Sequence, residues 1–276
     1  MIVLSEYIAI PKNYSLTGDG GFYSVLEKDF ETKLNAFLEK HSIIQQKENY
    51  TALPLKYLEN FPFVDFEPYK DEIFSRKQEI KFLEKLIEPY FFCHKSLLEI
   101  GGWNCWLTKW LQSKGLEIIS TDIFKDAING LSSKQFHKNN DWLSVQLDIT
   151  NPEIYIKKFD VIIINHSLQF LTNPEEITFK YKNLLAKGGI LIILGMNFFS
   201  KTKAQEKKVI RYRKFYIDKY NFNIHFYPCK GYFDNAFFEF LIKQKFNFKS
   251  YKFSFLGNIK KKLKAEKSGI MYLINH

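Results

Sequence analysis

The chain has 276 residues, enough for one large domain or one domain with an appendage, and its 46% hydrophobic content is ample for a core. Aromatic residues reach 17%, with 28 Phe and 16 Tyr, and Lys far outnumbers Arg. The formal net charge of +10 is uneven: residues 1–95 hold 12 basic and 15 acidic side chains, residues 96–199 hold 10 of each, and residues 200–276 hold 18 and 5. An anionic partner such as RNA would therefore dock on residues 200–276.

No apolar run is long enough to span a bilayer. The first ten residues carry Glu6 and no basic residue, which makes a poor signal peptide. Cys93, Cys105 and Cys229 are too widely spaced for a C-x-x-C pair or a disulfide framework, and a reduced, cytoplasmic setting is expected.

In chain order, residues 1–10 read as a strand and residues 13–21 as a turn, with Gly18, Gly20 and Gly21. Phe22, Leu26, Phe30, Leu34 and Phe37 or Leu38 recur at helical spacing and predict a helix over 22–41. Residues 50–68, broken by Pro54, Pro62 and Pro68, read as an aromatic linker. Ile73, Ile80, Leu83 and Ile87 form the stripe of a second helix over 72–90. Residues 1–90 are thus expected to be an α-rich extension that caps the sheet edge and covers a cleft. They hold no cysteine, so no cysteine-based zinc module is expected.

Residues 96–110, SLLEIGGWNCWLTKW, organise the rest of the chain. They predict a buried strand over 96–100, a glycine turn at Gly101 and Gly102, and a helix opening near Asn104. A strand entering a helix through glycine places backbone N–H groups in a cleft at the strand's C-terminal edge, where open α/β sheets bind nucleotide-like ligands. Further strands are predicted over 116–121, 142–147, 159–165 and 190–194, and helices over 124–131, 174–186, 203–220 and 235–245. Residues 246–255 and 269–274 supply two closing strands. The dinucleotide pattern G-x-G-x-x-G would need glycine where Trp103 and Trp106 stand, which argues against a dehydrogenase.

The run Leu97-Leu98-Glu99-Ile100-Gly101 fits the first half of the first motif of class I S-adenosylmethionine (SAM) methyltransferases, and Trp103 and Cys105 stand where later glycines occur. Asn104-Cys105-Trp106-Leu107-Thr108 resembles the "GNGWLS" stretch of a bacterial group of these enzymes. The resemblance is clear over residues 96–195. It implies a doubly wound, mostly parallel seven-stranded sheet of the Rossmann-like type over residues 91–276, closed by an antiparallel hairpin. It also implies SAM as cofactor and a small-molecule acceptor methylated on O, N or C.

Asp122 ends the second strand about 20 residues past Gly101, where a carboxylate can accept hydrogen bonds from a ribose diol. It equally fits a helix cap. By the resemblance, Glu99 and the Gly101-Gly102 turn would hold the methionine part, with Trp103 beside them in the cofactor site. Asp148 would take the adenine amino group, the Ile149 backbone N–H the ring, and Asn165 would border the cofactor. His166, the histidine at a strand end, is the candidate general base, with a role in satisfying local backbone groups as the alternative. His225 and Tyr232 are candidates to face an acceptor. The run Lys260-Lys261-Lys262-Leu263-Lys264 reads either as a phosphate contact or as a solvated loop. Two other readings stay open at this level: an RNA- or protein-modifying methyltransferase, favoured by the basic C-terminal part, and a non-catalytic relative, favoured by Trp103 and Cys105.

Overall fold

The computed structural model describes residues 2–19, 21–48, 50, 53–127, 129–251 and 266–275. The chain enters through a tight turn at Leu4–Glu6 and makes one antiparallel bridge, Ile8 to Tyr155, rather than the strand expected over 1–10. Two strands come next, β1 (Tyr14–Asp19) and β2 (Phe22–Glu27), paired as an antiparallel hairpin where the sequence suggested a turn and the start of a helix. Residues 22–27 extend because Val25 and Leu26 are buried in the core and Ser24 bonds Gln146 at 2.9 Å. Helix α1 (Lys28–Lys47) starts only after Glu27, whose carboxylate accepts from Phe30 N at 3.0 Å as an N-cap.

A short helix α2 (Leu55–Leu58) interrupts the aromatic linker, and α3 (Lys70–Ile87) lies beyond it. The chain then alternates: β3 (Ser96–Ile100), α4 (Trp106–Gln112), β4 (Glu117–Asp122), β5 (Leu143–Gln146), β6 (Phe159–Ile164), α5 (Pro174–Lys182) and β7 (Leu185–Phe199). Helix α6 (Thr202–Tyr220), a short β8 (Phe233–Asp234), α7 (Asn235–Lys243), β9 (Asn247–Ser250) and β10 (Glu266–Ile274) complete it. The lysine run at 260–264 and residues 252–255 of the expected strand lie outside the described residues.

The strand order is β1-β2-β5-β4-β3-β6-β7-β10-β9, with β8 beside β7. Strands β5, β4, β3, β6 and β7 are parallel, while β10 runs antiparallel to β7 and β9. The seven expected strands are all present, and the N-terminal hairpin extends the same sheet through a parallel pairing of β2 with β5. No described helix is long and apolar enough to cross a membrane.

Strict alternation along the central strands divides the core between the two faces. Leu98, Ile119, Ile162 and Ile164 join one apolar cluster with Leu34 of α1, Tyr181 of α5 and Leu241 of α7. Leu97, Ile118, Val161 and Ile163 join the other with Ile80 and Leu83 of α3 and Trp106 of α4. Both faces being covered, β6 is apolar at every position but Asp160.

The helix expected over 124–131 does not form. Asp126 accepts from Asn129 N at 2.7 Å, Leu131 N bonds Phe124 O at 3.1 Å, and Gly130 lies so close to Lys125 and Asp126 that a Cβ would be 2.4 Å from the Asp126 nitrogen. This side-chain turn outcompetes a helical turn. Strand β7 is much longer than the expected 190–194, passing through Gly188 at φ +75° and Gly195 at φ +71°.

Because Leu26 is 1% exposed, Leu26→Ala should cost about 2–5 kcal/mol. Ile217→Ala on α6, where the side chain is 49% exposed, should cost under about 0.5 kcal/mol. Urea denaturation followed by circular dichroism checks both. Equal costs would show that the hairpin does not share the core.

Candidate active site

The C-terminal ends of β3, β4 and β6 open on a cavity of about 250 Å³. Its wall includes Gly101, Trp103, Asp122, Ile149, Asn165 and His166, six of the residues singled out from sequence. Glu99, Gly102 and Asp148 are not on that wall.

Glu99 is fully buried beneath it. Its carboxyl accepts from Thr108 Oγ1 of α4, from Ser120 Oγ of β4 at 3.0 Å and from Asn165 Nδ2 at 3.0 Å. Burial lifts this carboxyl from its ordinary 4.5 to about 7, against the pull of those three donors. The turn above it is pressed onto the same groups. A Cβ at Gly102 would be 2.2 Å from Ser120 Oγ, and one at Gly101, which has φ +86°, would be 2.6 Å from the Asn165 carbonyl oxygen.

Trp103 and Cys105 keep left-handed backbone at φ 43° and 59°, the region that favours glycine. The chain thus retains the shape of a glycine loop while carrying side chains. Trp103 faces the cavity; Cys105 is fully buried and does not line it. The Trp103 N–H donates to Asp122 Oδ2 at 2.8 Å and the Phe124 N–H to Oδ1 at 3.0 Å, so Asp122 ties the turn to the loop after β4. Burial raises the Asp122 carboxyl to about 6. Asp148 is held outside the wall by Thr150 N at 2.9 Å, Thr150 Oγ1 at 2.7 Å and Tyr227 OH at 2.8 Å.

His166 also has a left-handed backbone, φ 53°. Its Nε2 lies 2.7 Å from Oε1 of Glu79, a fully buried carboxylate of α3. Arg76 Nη1 reaches the same carboxylate at 3.3 Å, Tyr251 OH donates to it, and Arg76 Nη2 bonds Glu72 at 2.9 Å. Burial lowers the His166 pKa from 6.5, aided by Arg76 and opposed by Glu79. The Nδ1 edge of the ring lies over Gly195, where a Cβ would be 2.0 Å away.

Sequence reasoning missed Glu72, Arg76 and Glu79. The available signal was that 76 and 79 fall on the buried side of α3, within the stripe of Ile73, Ile80, Leu83 and Ile87. Arg76 and Trp106 both line the cavity, and the guanidinium carbon sits 5.6 Å from the Trp106 ring centroid; Arg76 Nε and Trp106 Nε1 are themselves buried without a partner among the described residues. Unmatched buried donors cost about 1–3 kcal/mol each.

Residues 98–191, about a third of the chain, match the family model of a methyltransferase domain. Among solved structures, the magnesium protoporphyrin IX methyltransferase ChlM from Synechocystis PCC 6803 with bound S-adenosylhomocysteine aligns with a TM-score of 0.52 at 14% identity, covering 89% of this chain and 100% of that one. The carbon methyltransferase CurJ gives 0.49 at 17% identity, covering 89% and 67%. The plantazolicin methyltransferase BamL gives 0.45 at 14%, covering 89% and 98%. No curated protein matches the sequence. The fold of this chain is that of the class I methyltransferases.

The raised Glu99 carboxyl carries a sign. Between about pH 4.5 and 7 the native group holds a proton that the unfolded one has released, so stability falls as pH rises through that window. Glu99→Gln should therefore gain on the wild type between about pH 5 and 8, by up to about 3 kcal/mol. Denaturation at several pH values checks it; parallel curves would contradict a raised carboxyl.

Proposed function

We propose that the chain is an S-adenosylmethionine-dependent methyltransferase acting on a small-molecule acceptor. The observation that carries this reading is the cleft at the C-terminal ends of β3, β4 and β6, on whose wall Gly101, Trp103, Asp122, Ile149 and Asn165 come together. The donor set fits the cofactor. Arg76 offers a guanidinium to the amino-acid carboxylate, Asp122 retains lone pairs for the ribose hydroxyls, and Ile123 and Ile149 supply apolar walls for the adenine. When bound, SAM supplies an electrophilic methyl group on a sulfonium and leaves as the thioether S-adenosylhomocysteine.

The remaining residues act on geometry and protons. Glu99, through Asn165, Thr108 and Ser120, fixes the floor on which the turn rests. Asp148 positions Tyr227, which lines the cleft. His166 Nε2–H donates to Glu79, which leaves Nδ1 to take the proton of an acceptor hydroxyl while Glu79 stabilises the imidazolium formed. The ring lies so close over Gly195 that any side chain there would displace it. Alignment of nucleophile and methyl accounts for most of the acceleration in this reading.

Titration with S-adenosylhomocysteine, following the emission of Trp103 and Trp106, should give saturable quenching with a micromolar Kd. NAD should give none. Asp122→Asn should weaken binding by about tenfold, the loss of a hydrogen bond to a charged group. With a hydroxyl acceptor, the rate should rise with pH through a limb whose midpoint lies below 6.5, because His166 must be neutral, and His166→Gln should remove that limb. A folded wild type that does not respond to S-adenosylhomocysteine would overturn the reading.

A further inference from the structure

Helix α6 is 19 residues long and has no buried residue. Its position is set by side-chain ties. Arg213 bonds His225 Nδ1 at 3.0 Å and the Cys229 carbonyl, while Lys219 at 2.7 Å and Tyr220 reach Glu48, the residue that caps the end of α1. The inner face of α6, including Gln205, Val209, Tyr212 and Tyr216, borders a cavity of about 720 Å³ instead of packing on the core. Its other walls are largely rings, among them Phe37, Phe124, Phe226 and Tyr227. These rings are already arranged against each other. Phe37 and Phe226 lie 5.2 Å apart edge to face, and Phe226 and Tyr227 lie 5.0 Å apart.

A second cavity of about 690 Å³ adjoins the first, sharing Phe170, Gln205, Lys208 and Gly231 with it. It is more polar and holds Lys201, Asn197 and Tyr232, with Glu266 at its edge beside Ser268. Phe170, 40% exposed, borders both cavities and also the cofactor cleft. The two histidines of the ring-lined cavity are held neutral. Burial lowers His41, and burial with Arg213 lowers His225 to about 4. Positive charge therefore concentrates at Lys208 and Lys201, on the side of the polar cavity.

We infer that the acceptor is a ring-bearing acid, its flat apolar body lying beneath α6 among Phe37, Phe226 and Tyr227, its carboxylate or phosphate at Lys201 and Lys208, and its reacting group at Phe170. Rings present matching edges and faces to a flat ligand, and the cavity size suits one. The inference rests on the methyltransferase reading for the word acceptor. The binding class itself rests on the cavities.

The test uses two probes on the full chain. Anilinonaphthalene sulfonate is flat and anionic, and N-phenylnaphthylamine is its neutral counterpart. The wild type should bind one sulfonate probe with micromolar affinity, at least fivefold tighter than the neutral one. Lys201→Glu with Lys208→Glu should abolish that preference. Gln205→Trp, or Val209→Trp one turn on, should weaken both probes by about tenfold while S-adenosylhomocysteine binding stays within twofold. These two sites lie on a helix without buried residues, so the fold tolerates the change, and circular dichroism verifies it. Probe binding indifferent to both tryptophans, or a charge preference that survives the double reversal, would overturn the inference and leave the cofactor reading intact. Probe binding as described, in a chain that ignores S-adenosylhomocysteine, would overturn the cofactor reading alone and support a ring-and-anion site.

Discussion

The cleft depends on one carboxyl group sealed from water. Glu99 gathers donors from α4, β4 and the end of β6, three elements that converge on this one group. Its partners are also the surfaces on which the Gly101-Gly102 turn rests, so the turn has no freedom to relax. That constraint explains how Trp103 and Cys105 tolerate left-handed backbone. Each conformation costs about 1–2 kcal/mol for a residue with a Cβ. The tie from the Trp103 N–H to Asp122 and the burial of Cys105 offset it. The glycine-loop shape therefore belongs to the surroundings as much as to the loop residues.

The second contribution comes from far away in sequence. Helix α3 lies across the face of β3 and β6 that carries Leu97 and Val161, and inserts Arg76 and Glu79 beneath His166. Burying three ionisable groups together is costly unless each is paired. Here Glu79 takes donors from Arg76, His166 and Tyr251, so one helix, one strand-end loop and the residue just past β9 are clamped around a single carboxylate. In the methyltransferase reading this clamp sets the tautomer of His166 and holds Arg76 at the cleft wall.

Strand β6 was legible because burial on both faces favours an apolar, β-branched run, as in the VIII of FDVIII. Asp122 was legible by its distance from Gly101. The β1–β2 hairpin was not: Phe22 and Leu26 are four residues apart and continue in phase into Phe30 and Leu34 of α1, so helical spacing outweighed a six-residue strand. The Glu79–His166 pair spans 87 positions, and no local pattern announces such a contact. At Asp148 the sequence showed only a strand end; that Thr150 and Tyr227 both hold its Oδ1 is a tertiary arrangement.

A crystal structure of the chain grown with S-adenosylhomocysteine tests the account most directly. The account predicts the ligand in the cleft between β3 and β4. Its ribose hydroxyls should lie on Asp122, its ring between Ile123 and Ile149, and its carboxylate on Arg76, with the Glu99 network unchanged. A ligand bound elsewhere, or a cleft in which Arg76 remains turned to Glu72 and Glu79 and no ligand enters at saturating concentration, would contradict it.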